Sequence, residues 1–220
     1  MSHKPLDWAE ELALSDDLVL RPVCGVDEAG RGPLAGRVYA AAVILPYDKR
    51  NNETLLALDD SKKLSEKKRE FLSEQIKDIA LSWCVAYSEV EEIEEINILQ
   101  ASLLAMRRAI DGLQLVPYGA LIDGNINRGF ELLSKAVIDG DAISPSIAAA
   151  SILAKVARDS YCRTVLDKDY PEYGFSKHKG YGTAAHYAAI TQYGLCPFHR
   201  KSFFKKYKGG VLFDRKTENG

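Results

Sequence analysis

The chain is sparing with the residues that hold metals through sulfur or nitrogen. Its 220 residues include four cysteines and four histidines. Cys24, Cys84, Cys162 and Cys196 lie far apart and form no CxxC pair, which excludes the regular ligand sets of a zinc module or a disulfide framework and leaves free, buried thiols. His178, His186 and His199 have no metal-ligand spacing and read as structural. No segment approaches the ~18 consecutive apolar residues of a membrane span. The first twenty residues mix Lys4, Asp7, Glu10, Glu11, Asp16 and Asp17 among apolar ones, which is no secretory leader. The expectation is a soluble, cytoplasmic protein with no membrane partner. Repeats and low-complexity linkers are absent too. An excess of positive charge is also missing: 29 Lys and Arg stand against 31 Asp and Glu, so net charge is silent about nucleic acid.

What is present is a chain with 46% hydrophobic residues, enough for one substantial core. Residues 22–26 read as a short buried strand, 37–45 as a second closed by Pro46, and 83–90 as a third. Ser65 is placed to cap a helix through Ala80 with Leu72, Ile76 and Ile79 inward. From Glu91 the period becomes helical, with Ile96, Leu99, Leu103, Met106, Ile110 and Leu113 forming one stripe. Residues 119–122 and 136–138 are two further short strands, and Pro145 opens a helix over about 146–167. Early strands joined by a tight turn imply antiparallel pairing, and later strand–helix alternation implies parallel pairing. The prediction is a single α/β domain with a mixed sheet over 21–208, preceded by an extension at 1–20 and followed by a tail at 209–220.

Three of these strands finish on acid: Asp27-Glu28, Asp123 and Asp141. Asp27 and Glu28 open the run VDEAGRGPLAG at 26–36, whose glycines permit a turn starting at Glu28 that would bring both carboxylates to one side. Strand ends one or two spacings apart would lie roughly 5–10 Å from each other. Oxygen ligands unaccompanied by histidine suit Mg²⁺ rather than zinc, and point to a two-metal phosphodiester enzyme. Asp-Gly pairs are also ordinary turn chemistry, so Asp123 and Asp141 taken singly are better explained as strand terminators, and it is the three sites together that favour metal binding.

The segments VDEAGRGPLAG at 26–36, DSKKLS at 60–65, NILQASLLAM at 97–106, IDGN at 122–125, GD at 140–141, AASILAKVARD at 149–159 and HKGYGT at 178–183 together resemble bacterial ribonuclease HII. The resemblance implies a ribonuclease H-like fold, a mixed five-stranded sheet flanked by helices with C-terminal helices that help bind substrate. It implies cleavage of RNA in RNA–DNA hybrids and incision 5' of single ribonucleotides in duplex DNA, leaving 3'-hydroxyl and 5'-phosphate ends, with two Mg²⁺ or Mn²⁺ ions. A monomer is expected. Carried over by position, the catalytic and metal-binding carboxylates are Asp27, Glu28, Asp123 and Asp141. Asp139, two residues before Asp141, is a competitor on the residues alone, and the resemblance favours Asp141. Gly30, Arg31 and Gly32 match the segment whose backbone reads the 2'-hydroxyl, and Tyr181 matches the tyrosine on the same sugar. Ala148 stands where relatives often carry serine, and the Asn125–Gly129 loop receives no role. With only some twenty residues before the first strand, the ribonuclease HIII branch and its extra N-terminal domain are disfavoured.

Basic clusters occur at Lys62, Lys63, Lys67, Lys68 and Arg69, at Lys177, His178 and Lys179, and at Arg200, Lys201, Lys205, Lys206 and Lys208. Each reads first as a solvated face and second as a phosphate contact, with Lys62 the foremost substrate-binding candidate. Ser151, Lys155 and Asp159 form a polar stripe outside the catalytic set. Two other functions stay in play: another carboxylate-metal nuclease such as a junction resolvase, and a non-catalytic hybrid-binding protein.

Overall fold

The computed structural model describes residues 5–15 and 21–204. A short helix α1 (Ala9–Leu14) precedes strands β1 (Val23–Ala29) and β2 (Val38–Ile44). Helices α2 (Glu53–Leu56) and α3 (Glu66–Ile79) lead to β3 (Ser82–Ser88) and the long α4 (Val90–Asp111). Then come β4 (Gly119–Asp123), β5 (Leu133–Val137), α5 (Pro145–Tyr161) and the C-terminal helices α6 (Asp167–Asp169), α7 (Phe175–His178) and α8 (Ala184–Tyr193). The strands form one sheet in the order β3-β2-β1-β4-β5. The pairs β1–β2 and β2–β3 are antiparallel, whereas β1–β4 and β4–β5 are parallel. The mixed five-stranded sheet is therefore as expected. The basic residues Lys205, Lys206 and Lys208 and the 209–220 tail lie outside the described residues.

Alternation along β1 decides what each sheet face meets. Cys24 and Val26 join Leu103, Met106, Ala120 and Ile122 in a core against α4. Val23 joins Leu121, Val137 and Ile147 on the opposite face, against α5. Gly25 lies on that face as well, and a Cβ there would sit 2.1 Å from the Ser146 carbonyl carbon. Only glycine lets the α5 backbone approach β1 this closely. Ser144 caps α5 by accepting from the Ile147 amide, and Pro145 occupies its first turn. Glu11 of α1 joins the same helix start, accepting hydrogen bonds from the Ser144 and Ser146 hydroxyls.

Four local expectations need correction. The third strand ends at Ser88, because Val90 already belongs to α4. The α4 stripe is broken at Asn97, whose φ of 68° and ψ of 164° kink the helix. The Asn97 side chain accepts from the Leu99 and Gln100 amides and so caps the second segment, which carries Leu103, Met106 and Ile110 into the core. Helix α5 ends at Tyr161, and Cys162–Leu166 continues as a wider π turn into α6. Finally, β5 runs from Leu133 to Val137, so Asp141 does not finish a strand. It stands instead on a 3₁₀ turn, Gly140–Ala142, directly before α5.

Candidate active site

In the parallel pair β1–β4 the last registered partners are Val26 and Ile122. Asp27 and Asp123 are the next residue of each strand, and both follow the α5 face on which Gly25 and Leu121 lie. The turn at Glu28 that the following glycines permit does not occur. Asp27 pairs with Ala41 and Glu28 with Ala40 in unbroken antiparallel register, so Glu28 follows the α4 face. The strand does not bring the two carboxylates to one side; they stand on either side of its end. Burial is what prevents a turn here, since Ala40 and Ala41 of β2 sit fully inside the core.

The third aspartate arrives from the α5 side. Gly140 donates its amide to Asp123 Oδ1 at 2.8 Å, which ties the 3₁₀ turn to the end of β4. Asp141 is buried, while Asp139 is exposed and takes a left-handed conformation with φ 52°. That backbone reversal breaks the alternation that would have put Asp139 and Asp141 on one face, and it separates the competitors.

The four carboxylates form one electrostatic unit. Burial raises the Asp27 carboxyl well above its ordinary range, and the charges of Glu28, Asp123 and Asp141 push it further. Burial also raises Glu28, against the pull of Arg31, and Asp141, against the pull of Lys62. The compensating cations are few: Lys62 Nζ lies 3.4 Å from Asp141 Oδ2, and Arg31 Nη1 lies 3.6 Å from Glu28 Oε1. Among the described residues no three acidic, histidine or cysteine side chains close around one point as a metal cage. The donor chemistry still fits a hard divalent cation, because buried oxygen ligands that repel one another are stabilised by a positive charge placed among them.

Beside this cluster lies a second group. Arg31 and Gly32 are exposed on the loop between β1 and β2, and Tyr181 is 45% exposed. Tyr181 Cε1 lies 3.6 Å from where a Gly32 Cβ would stand. Leu34 donates to the Gly180 carbonyl at 2.8 Å, fixing the two segments to each other. All nine residues singled out as catalytic or substrate-binding thus fall in one region, with Lys62 reaching it from the turn before α3.

Other polar residues turn out to be internal supports. Asp159 is buried between Lys155, at 2.8 Å, and the more distant Arg69 and Arg158. Arg69 donates to the Ser61 and Leu64 carbonyls, so it braces the turn that carries Lys62 rather than facing solvent. Arg200 is the larger correction: it is fully buried, not part of a solvated basic face. His186 and His199 are buried and bonded Nε2 to Nε2 at 3.0 Å. Buried partners of this kind are mostly backbone carbonyls, which leave no side-chain pattern to read.

A mixed five-stranded sheet with acidic residues at the ends of its central strands defines an α/β domain of ribonuclease H-like fold. The family model for ribonuclease HII matches residues 24–206. Ribonuclease HII of Albidiferax ferrireducens is 55% identical over 181 residues, covering 82% of this chain and 85% of the relative. That of Laribacter hongkongensis is 55% identical over 185 residues, covering 83% and 91%. Among solved structures, ribonuclease H2 from Pyrococcus horikoshii superposes with a TM-score of 0.68 at 27% identity, covering 82% of this chain and 93% of that one. A ribonuclease HII solved in complex with PCNA, from Archaeoglobus fulgidus, gives 0.71 at 24% identity over 88% and 98%, and shows the shared fold. The chain belongs to the ribonuclease HII family, and it is a ribonuclease.

Proposed function

We propose that the protein hydrolyses the RNA strand of RNA–DNA hybrids and incises on the 5' side of single ribonucleotides embedded in duplex DNA, leaving 3'-hydroxyl and 5'-phosphate ends. The observation that carries this reading is the adjacency of two unlike groups. A buried cluster of carboxylates lies next to an exposed glycine loop and tyrosine, so the chemistry and a means of recognising a sugar share one surface. Asp27, Glu28, Asp123 and Asp141 would hold two divalent ions, Mg²⁺ or Mn²⁺. When bound, such ions acidify a water and offset charge on the departing oxygen.

The chain's own residues do the remaining work. Lys62, with an exposed ammonium beside Asp141, is placed to meet a phosphate as the duplex approaches. Glycine at 32 lets backbone come close to a ribose, whose 2'-hydroxyl both donates and accepts, while glycine at 30 leaves room for the Arg158 side chain beneath the loop. Tyr181 offers a flat face to the sugar and a hydroxyl to its 2'-oxygen. In this reading residues 21–208 are the catalytic domain, its C-terminal helical part supplies Tyr181, and the protein acts as a cytoplasmic monomer. Among the described residues no helix is long and apolar enough to cross a membrane.

The test is incubation with Mg²⁺ and a DNA duplex carrying one ribonucleotide, beside an all-DNA control. Cutting confined to the first duplex, on the 5' side of the ribonucleotide, is expected. Equal cutting of both would favour a junction-type nuclease, and binding without cutting a hybrid-binding module.

A further inference from the structure

The Arg200 guanidinium has five N–H donors, and all five are used on one stretch of backbone. Nε donates to the Gly36 carbonyl at 2.9 Å. Nη1 donates to those of Arg31 and Pro33 at 3.1 and 2.8 Å, and Nη2 to those of Gly30 and Arg37 at 2.7 and 3.2 Å. The Arg200 amide adds a bond to the Leu34 carbonyl at 2.8 Å. Every one of these acceptors belongs to the loop that joins β1 to β2.

A trans peptide is planar, with the N–H of one residue pointing opposite to the carbonyl of the residue before it. Because the Gly30 and Arg31 carbonyls point inward to Arg200, the Arg31 and Gly32 amides point away from it, and both residues are exposed. Neither amide meets a protein acceptor among the described residues. The Leu34 amide, turned outward in the same way by the Pro33 carbonyl, is consumed by Gly180. Two donors are therefore left over, next to Tyr181.

A second buried arginine tightens the arrangement. Arg158 donates to the Lys179 carbonyl at 2.8 Å, and a Cβ on Gly30 would fall 2.3 Å from its Nε. Burial and the neighbouring Arg158 push the Arg200 guanidinium down to about 9, which still leaves it charged at neutral pH.

We infer that Arg200 is a positioning residue for ribonucleotide recognition. By gathering the carbonyls of Gly30, Arg31, Pro33, Gly36 and Arg37, it holds the Arg31 and Gly32 amides outward as a preformed donor pair for a sugar 2'-hydroxyl. Lysine cannot replace it, having three donors instead of five and no planar fork. This inference rests on the function proposed above.

The experiment compares wild type with Arg200→Lys on two duplexes, one with a single ribonucleotide and one all-DNA, measuring affinity without divalent ions and cleavage with Mg²⁺. The variant is expected to lose about ten-fold in affinity for the ribonucleotide duplex, the worth of one or two hydrogen bonds, and to hold the all-DNA duplex within about two-fold. Parallel losses on both duplexes, or no loss on either, would overturn the inference. If the variant does not fold, the wild-type ¹H–¹⁵N signals of Arg31 and Gly32 decide: shifts on adding the ribonucleotide duplex but not the all-DNA duplex support it, and equal or absent shifts overturn it. A wild type that cuts both duplexes alike defeats the functional reading itself, a result visible before any variant is made.

Discussion

Acidification should destabilise this protein through the pair His186–His199. The shortest contacts around these rings set one direction, against a longer 3.3 Å approach of His199 Nδ1 to the Cys196 carbonyl. The Cys196 amide donates to His199 Nδ1 at 2.9 Å, so that nitrogen is an acceptor and the ring proton sits on Nε2. His199 Nε2 then donates to His186 Nε2 at 3.0 Å, and His186 Nδ1 donates to the Tyr181 carbonyl at 3.0 Å. A second proton on either ring puts two donors nose to nose. Burial pushes both imidazoles down from 6.5 to about 4, with His186 further lowered by His178 and His199 by His186. A histidine depressed in the folded state contributes its full stability above pH 6.5 and loses it as pH falls toward 4. At pH 5 one ring forfeits about 2 kcal/mol and the pair up to about 4 kcal/mol. The raised carboxylates of Glu11, Asp27, Glu28 and Asp141 act with the opposite sign, because the native state binds their protons more readily. Urea unfolding at pH 7.5 and pH 5.0 should therefore be run on wild type and on His186→Gln/His199→Gln. The variant should be less stable at pH 7.5 yet lose less on acidification. An identical loss in both proteins would refute the reasoning.

Asp27→Asn should abolish cleavage while raising the unfolding free energy in chelator by about 1 kcal/mol, and the midpoint with it, since a buried carboxylate among like charges is replaced by a neutral amide. A lowered midpoint would show that Asp27 is held for stability. Added Mn²⁺ should raise the melting temperature of wild type by thermal shift and leave Asp27→Asn nearly unmoved; equal shifts would place the ions elsewhere. Tyr181→Ala should reduce kcat/KM on a single-ribonucleotide duplex more than it reduces duplex affinity, and equal losses in the two assays would count against its contact with the sugar. Gly25→Ala should cost about 3 kcal/mol or more in urea unfolding, because the new methyl meets the α5 backbone and not a movable side chain. A near-neutral result would mean that α5 can retreat from β1.

The strands and the Ser65-capped helix were legible because their signals are local: alternation, a capping hydroxyl that accepts from the Lys68 amide, and a proline after the second strand. The same signals put Asp27, Glu28 and Asp123 at strand ends, whereas the preference for Asp141 over Asp139 comes from the resemblance and not from any local pattern. The way the acids meet was not legible. The glycines after Glu28 permit a turn there, but pairing with β2 carries the strand on to Ala29. The Asn97 kink is silent in the pattern because Ile96 and Leu99 keep helical spacing across it. In sequence Arg200 is one member of a basic run, because its partners are carbonyl oxygens 163 to 170 positions away, and backbone oxygens carry no residue identity.

The Arg200 fastening also bears on the order in which the protein becomes competent. All four carboxylates belong to residues already made when position 141 leaves the ribosome, whereas the clasp on the Gly30 loop is made some sixty residues later. At ordinary rates of synthesis that interval is roughly 3–12 seconds. During it the growing chain carries the acidic half of its site without the Arg200 clasp on the loop beside it. The loop beside the carboxylates is therefore fastened after they exist, when the segment around Arg200 folds back onto the connection between β1 and β2.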